Sequence, residues 1–190
     1  MKCAEPIVLD RGASDVSIAE LGSAFTCDHA GLWYVLHTKS RQEKALADEL
    51  DRLRIPFYLP IIEHVRYHGK RKAMVAEPLF AGYVFLRGTL DEAYLADRTK
   101  RVANILPVHD QETLDLELRN LALALHQQAP LDPYPYLKKG RRVQVRAGPF
   151  QGLQGLVEER LGWTRLVLGV SMLGQAVSLE IDGSLLDLVD

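Results

Sequence analysis

The chain has 190 residues, 47% apolar and 25% charged, a globular composition that fits one ordinary domain or two small ones and excludes a disordered or fibrous chain. No run approaches the ~18 consecutive apolar residues of a membrane span. The net charge of −2, taken alone, argues against a nucleic-acid binder.

That average conceals blocks of opposite sign. Residues 1–31 carry net −3, 32–72 carry +4, 73–130 carry −3, 131–149 carry +4 and 150–190 carry −4. The two basic blocks could meet phosphate or could simply be solvated surface. Two cysteines, Cys3 and Cys27, are too few for a disulfide framework or a metal cage. The acidic residues Asp10, Asp15 and Glu20 break any signal-peptide layout at the start, so a cytoplasmic location is expected.

Along the chain, residues 1–31 show no sustained periodicity and read as a loosely ordered extension, with room for a short helix around Val16–Leu21. The aromatic and β-branched run 32–36 predicts a strand. Ser40-Arg41-Gln42-Glu43 fits a capping box, and Leu46, Leu50 and Leu53 put one apolar stripe on the helix behind it. Residues 57–67 predict a strand interrupted at Pro60, with a turn at His68-Gly69, and 79–86 predict another. Thr89-Leu90-Asp91-Glu92 is a second capping box, opening a short helix to about Arg98. Residues 102–108 predict a strand, and 110–128 a helix with Leu114, Leu118, Leu121 and Leu125 on one face. The order β-α-β-β-α-β-α implies a mixed sheet flanked by helices.

Three prolines, Pro130, Pro133 and Pro135, then block helix and central strand alike, so 129–137 reads as a stiff, extended linker. The remaining 138–190 are too few for a large core. They alternate in short β runs about ten residues apart, which predicts a small five-stranded barrel. The expected class is therefore α+β: an extension (1–31), a mixed or antiparallel sheet with helices (32–128), the linker, and the barrel.

Enzyme signatures fall away. The glycines Gly148, Gly152 and Gly155 lie between strands and open no helix, so they present no helix N-terminus to phosphate. His64 and His68 share a strand face with no further ligand nearby, which favours surface histidines over zinc. No nucleophile elbow occurs, and neither cysteine sits in a basic setting. Neither enzyme activity nor a cofactor is expected. Two other features invite a partner. In Phe80-Ala81-Gly82-Tyr83-Val84-Phe85 the rings either fill the core or leave an aromatic patch for docking. Lys39, Arg41 and Lys44 surround a helix start, and Arg66, Lys70, Arg71 and Lys72 crowd a hairpin tip that can reach a phosphate backbone without reading sequence.

Three sets of residues together carry a resemblance: 33–44 (WYVLHTKSRQEK), then Tyr58-Leu59-Pro60 with Gly69-Lys70-Arg71-Lys72 and Glu77 to Phe85, and 139–157 with Gly148-Pro149-Phe150-Gln151-Gly152. The first two resemble the N-terminal domain of the NusG family of transcription elongation factors, and the third resembles the KOW motif that follows it there. The Thr38-Lys39-Ser40-Arg41-Gln42-Glu43 string looks more like the specialised, operon-directed paralogues such as RfaH than the housekeeping member.

The resemblance implies a non-enzymatic, monomeric antitermination factor. Its aromatic hollow, here Tyr34, His37, Phe80, Tyr83 and Phe85, would bind the β′ clamp helices of RNA polymerase, a helix-in-groove contact. The basic positions would face upstream or non-template DNA. Phe150, Leu153, Gln154, Met172, Leu173 and Gln175 would meet a small-subunit ribosomal protein or Rho. The chain departs from the family at Ala81, where proline is usual, at Leu173, where an aromatic is usual, and at Gln175, where a basic residue is usual. The alternatives are a housekeeping NusG, or a ribosome- or RNA-binding KOW protein.

Overall fold

The computed structural model describes residues 23–25, 31–68, 71–134, 140–160 and 163–189. The helix expected at 16–21 and the Gly69-Lys70 tip lie outside them. Among the described residues three α-helices and twelve strands follow in order. They are β1 (Leu32–Thr38), α1 (Glu43–Arg52), β2 (Phe57–Tyr58), β3 (Ile61–His68), β4 (Arg71–Pro78), β5 (Tyr83–Gly88), α2 (Leu90–Arg98), β6 (Val102–Pro107) and α3 (Gln111–His126). After these come β7 (Asp132–Tyr134), β8 (Arg141–Val145), β9 (Gln154–Arg160), β10 (Trp163–Val170), β11 (Gln175–Ile181) and β12 (Leu186–Leu188).

The first sheet has the order β2-β5-β1-β6. Its antiparallel register places Trp33 opposite Arg87, Val35 opposite Phe85 and His37 opposite Tyr83, so these six side chains share one face. Tyr34, Leu36, Val84 and Leu86 share the other. That second face is covered by α1 and α2 through Leu46, Leu50 and Ala96. The first face is covered by α3, whose Leu114, Leu118 and Leu121 are buried, as their spacing predicts. Gln111 clasps the edge of β1: its Oε1 accepts the Trp33 N–H at 2.7 Å and its Nε2 donates to the Trp33 carbonyl at 3.0 Å.

The strands β3 and β4 form a separate two-stranded ribbon. β4 was not anticipated from sequence, because its charged and half-exposed residues carry no apolar run. The strand expected at 79–86 starts later, at Tyr83, because residues 80–83 make a turn. The Thr89 capping box is present, with both reciprocal bonds to Glu92. The Ser40 box is not: Gln42 is the N-cap without a side-chain bond, and Arg41 adopts a left-handed φ of 58° that turns the chain before the helix. Leu53 is the C-cap residue of α1 and is 47% exposed, outside the apolar stripe.

The second sheet has six strands, β12-β8-β9-β10-β11-β7. Five come from the region expected to form the small β unit. The sixth, β7, belongs to the segment read as a linker, and it pairs with β11 through Pro133 opposite Val177. A proline is tolerated there because β7 is an edge strand whose outer side needs no ladder donor.

The other side of α3 meets this sheet at β10. One apolar cluster therefore runs from Trp33 and Phe85 through Leu118 and Ala122 to Leu166 and Leu168. Polar bonds reinforce the contact. The Asn120 side-chain oxygen accepts the Gln154 N–H at 3.0 Å, and the Glu117 carboxylate accepts the Ser171 N–H at 3.0 and 3.1 Å. Burial pushes the Glu117 carboxyl above its ordinary value, against the lowering effect of the Ser171 bonds. A cavity of roughly 180 Å³ remains between helix and sheet, lined by Glu117, Asn120, Arg142 and Gln154 among others.

Candidate functional site

The turn joining β4 to β5 sets the geometry of the aromatic group. Residues 80–83 close it through Tyr83 N–H donating to the Phe80 carbonyl at 3.2 Å, with Gly82 at φ 86°. That positive φ in the third position of the turn suits glycine. Two further bonds hold Gly82. Its N–H donates to the Glu43 carboxylate at 2.7 Å, and its carbonyl accepts the Thr38 N–H at 2.8 Å. The turn is thereby tied to both α1 and β1, and it delivers Tyr83 beside His37. The two rings stack with centroids 5.1 Å apart and planes 28° from parallel.

The five residues expected to make one aromatic hollow separate into three groups. His37 is exposed and Tyr83 half-buried, and together they form the accessible pair. Phe80 and Phe85 are buried, packed edge to face with centroids 6.3 Å apart. They are the floor under the pair and offer no surface themselves. Tyr34 points from the opposite face of the sheet, because register parity sets it beside Leu86 instead of Phe85. There it lines a different depression with Leu90, Tyr94 and Ile105.

Three of the basic residues assemble around the start of α1. Lys39, Arg41 and Lys44 are exposed. The ammonium of Lys44 donates to the Ala76 carbonyl of β4 at 2.6 Å, which joins the helix start to the β3–β4 ribbon. Lys72, on the same ribbon, is exposed. The side chains of Arg66, Lys70 and Arg71 lie outside the described residues.

Sequence reasoning missed two members of this group. Lys39 N–H donates to the Arg101 carbonyl at 2.8 Å, and its ammonium donates to the Lys100 carbonyl at 2.6 Å. Arg101 in turn bonds the Gln42 side chain. Lys100 and Arg101 thus stand beside Lys39, brought there by the β1–β6 pairing. Their only sequence signal was a basic triplet with Arg98 inside an acidic block.

The expected partner patch of the C-terminal sheet is also divided. Leu153 is fully buried, since its carbonyl and its neighbour Gly152 bind β8 and turn the side chain inward. Phe150 and Leu173 pack half-buried against the core. Gln154 faces α3 through the Asn120 bond, Gln175 is half-buried, and Met172 is 38% exposed. Among the described residues no group of histidine, cysteine and carboxylate side chains could hold a metal, and no helix is long and apolar enough to cross a membrane.

Comparison with known proteins bears on this geometry. Residues 31–120 match the family model described as "NusG: Transcription termination factor nusG". The transcription termination/antitermination protein NusG of Pseudomonas aeruginosa is 26% identical over 172 residues, spanning 80% of this chain and 95% of that one. The protein of the same name from Escherichia coli K12 is 28% identical over 175 residues, spanning 80% and 93%. A solved structure described as the MjSpt4:Spt5 complex in conformation B aligns at 18% identity with a TM-score of 0.29, too low to carry a comparison of fold. The chain carries a NusG-family domain at residues 31–120, and its relatives over four-fifths of its length are transcription termination/antitermination proteins.

Proposed function

We propose that this protein is a cytoplasmic transcription elongation and antitermination factor that binds RNA polymerase at the β′ clamp helices and suppresses pausing or termination, as a specialised operon-directed member of its family. The observation that carries the reading is the His37–Tyr83 stack, an accessible ring pair on a rigid sheet whose supporting turn is bonded to α1 and β1. Pre-positioned rings lose little entropy on docking, which suits them to anchor a partner helix.

The basic residues at the start of α1 (Lys39, Arg41, Lys44, with Lys100 and Arg101) and Lys72 on the ribbon support a contact with upstream or non-template DNA along its phosphates. Such a bridge acts by holding the polymerase clamp in one state, a shift of population without covalent chemistry. In the C-terminal sheet, the exposed Met172 and the half-buried Phe150, Gln154, Leu173 and Gln175 remain for a ribosomal protein or Rho, while Leu153 is buried in the core.

The test is polymerase pull-down and pausing assays with His37→Ala, Tyr83→Ala. Loss of both activities in a folded protein is the expected result. Unchanged pull-down and unchanged pausing would remove the clamp assignment.

A further inference from the structure

Ser23–Phe25 is a single 3₁₀ turn in the stretch read from sequence as a loose extension, yet Ala24 and Phe25 have no exposed surface. The Phe25 ring lies against Trp33 with centroids 5.6 Å apart, and meets Tyr58 edge-on at 4.9 Å. The Arg119 guanidinium of α3 sits over its face at 5.5 Å. Arg87 Nη1 donates to the Ala24 carbonyl at 3.3 Å, so the turn is recognised by its backbone as well as by its ring.

We infer that the sheet face carries a peptide-binding cleft whose resident ligand is this chain's own Ser23–Phe25, and that the cleft takes an aromatic-bearing protein segment when that ligand leaves.

The walls are assembled without the ligand. Asp115 of α3 accepts from Trp33 Nε1 at 2.9 Å, from Arg87 Nη1 at 3.0 Å and from Arg119 Nε at 2.5 Å. One carboxylate thus fixes an indole and two guanidiniums in place, and Arg87 additionally covers the Trp33 ring at 5.3 Å. A site held by its own bonds persists when its ligand departs.

The ligand, by contrast, is a single 3₁₀ turn that belongs to none of the three sheets, so it can open locally without breaking a strand ladder.

The occupied cleft also leaves polar groups unmet. Among the described residues the Tyr58 hydroxyl and Arg87 Nε are buried with no hydrogen-bond partner, and burial pushes the Tyr58 phenol up. Orphans of this kind are costly, so a ligand that supplies an acceptor binds better than phenylalanine does. The favoured occupant therefore has an aromatic side chain, a backbone carbonyl one residue before it for Arg87, and an acceptor within reach of Tyr58. Trp33 and His37 lie on one face of β1 with Val35 between them, so the cleft shares a sheet face with the His37–Tyr83 stack but uses different residues, and the inference stands without the polymerase reading.

The test uses the full chain and a fluorescent peptide of residues 19–30 with Cys27→Ser. Phe25→Ala empties the cleft, and the peptide should bind that variant at least roughly tenfold more tightly than the wild type, whose cleft is occupied. A peptide with Phe25→Ala should bind neither. No gain over the wild type in a folded Phe25→Ala protein, or equal binding of the altered peptide, would overturn the inference.

If Phe25→Ala does not fold, hydrogen exchange of the wild type decides. Exchange around Phe25 well ahead of α3 supports a ligand that leaves on its own. Exchange of both at the same rate shows an integral part of the core and overturns it.

Discussion

The carboxylate of Glu43, in the first turn of α1, accepts the backbone N–H of Gly82 at 2.7 Å. It lies across the β1–α1 junction from the turn that positions Tyr83, and it is only 8% exposed. A buried amide bonded to a charged acceptor contributes more than an ordinary neutral pair. Glu43→Ala should therefore cost about 1.5–3 kcal/mol in chemical denaturation, and Glu43→Gln, which keeps an acceptor, distinctly less. Equal losses in the two variants would mean that packing, not the bond, is what Glu43 supplies.

Ala81 occupies the second position of the Phe80–Tyr83 turn, where proline is the favoured residue. Ala81→Pro is expected to raise stability by about 0.4–1 kcal/mol, chiefly by restricting the unfolded chain. Gly82→Ala should do the opposite by roughly 1–2 kcal/mol, since its φ is positive, and the added methyl would stand 3.6 Å from the His37 ring without clashing. Paired melting curves check both. A destabilising Ala81→Pro would show that this turn needs a φ or an amide that proline cannot supply.

Phe85 and Tyr83 lie two residues apart on the same face, yet truncating them should have different consequences. Phe85→Ala empties a fully buried position and should cost about 3–5 kcal/mol. Tyr83→Ala removes a half-buried ring from the surface stack and should cost under about 1.5 kcal/mol while abolishing partner binding. Denaturation midpoints with pull-down on the same preparations separate stability from recognition.

Burial raises the Glu117 carboxyl above its ordinary value of 4.5. The raised folded-state value means that the charged form disfavours folding. Its contribution is most favourable below about pH 4, and is lost as pH climbs through 4.5 and past the raised value. Glu117→Gln keeps an acceptor for Ser171 without the charge, so its stability relative to the wild type should improve between pH 4 and neutrality, then stay level. A constant difference across that range would mean that Glu117 is as well hydrated in the folded protein as outside it.

The basic group should act through phosphate alone. Lys39→Ala and Lys72→Ala should each weaken duplex binding similarly whatever its sequence, and reduce the salt-dependence slope by about 0.9. Unchanged slopes would return these residues to solvated surface.

Much of the architecture was legible in local pattern. Leu114, Leu118 and Leu121 marked the buried stripe of α3, and Thr89 with Glu92 marked the start of α2 through chemistry that needs only three residues' spacing. The Ser40 box failed because the same pattern has a competitor. Once Arg41 turns left-handed, Glu43 is free to bond Gly82, a residue 39 positions away that no local window contains. β4 stayed hidden because a two-stranded ribbon open to solvent needs no apolar run.

By itself the sequence determined the three helices, most of the strands and the split into a helix-flanked sheet and a small β unit. Periodicity and capping are local, and local forces suffice for them. Only the tertiary structure decided which rings reach the surface. Alternation sets Tyr83 and Phe85 on one face and Tyr34 on the other once the register is known, but it does not say which ring a helix or turn will cover. Nor does it bring Lys100 and Arg101 to Lys39, or Phe25 to Trp33. Those meetings depend on strand pairing and helix docking between segments far apart in the chain, and on the apolar area that only the assembled fold can bury.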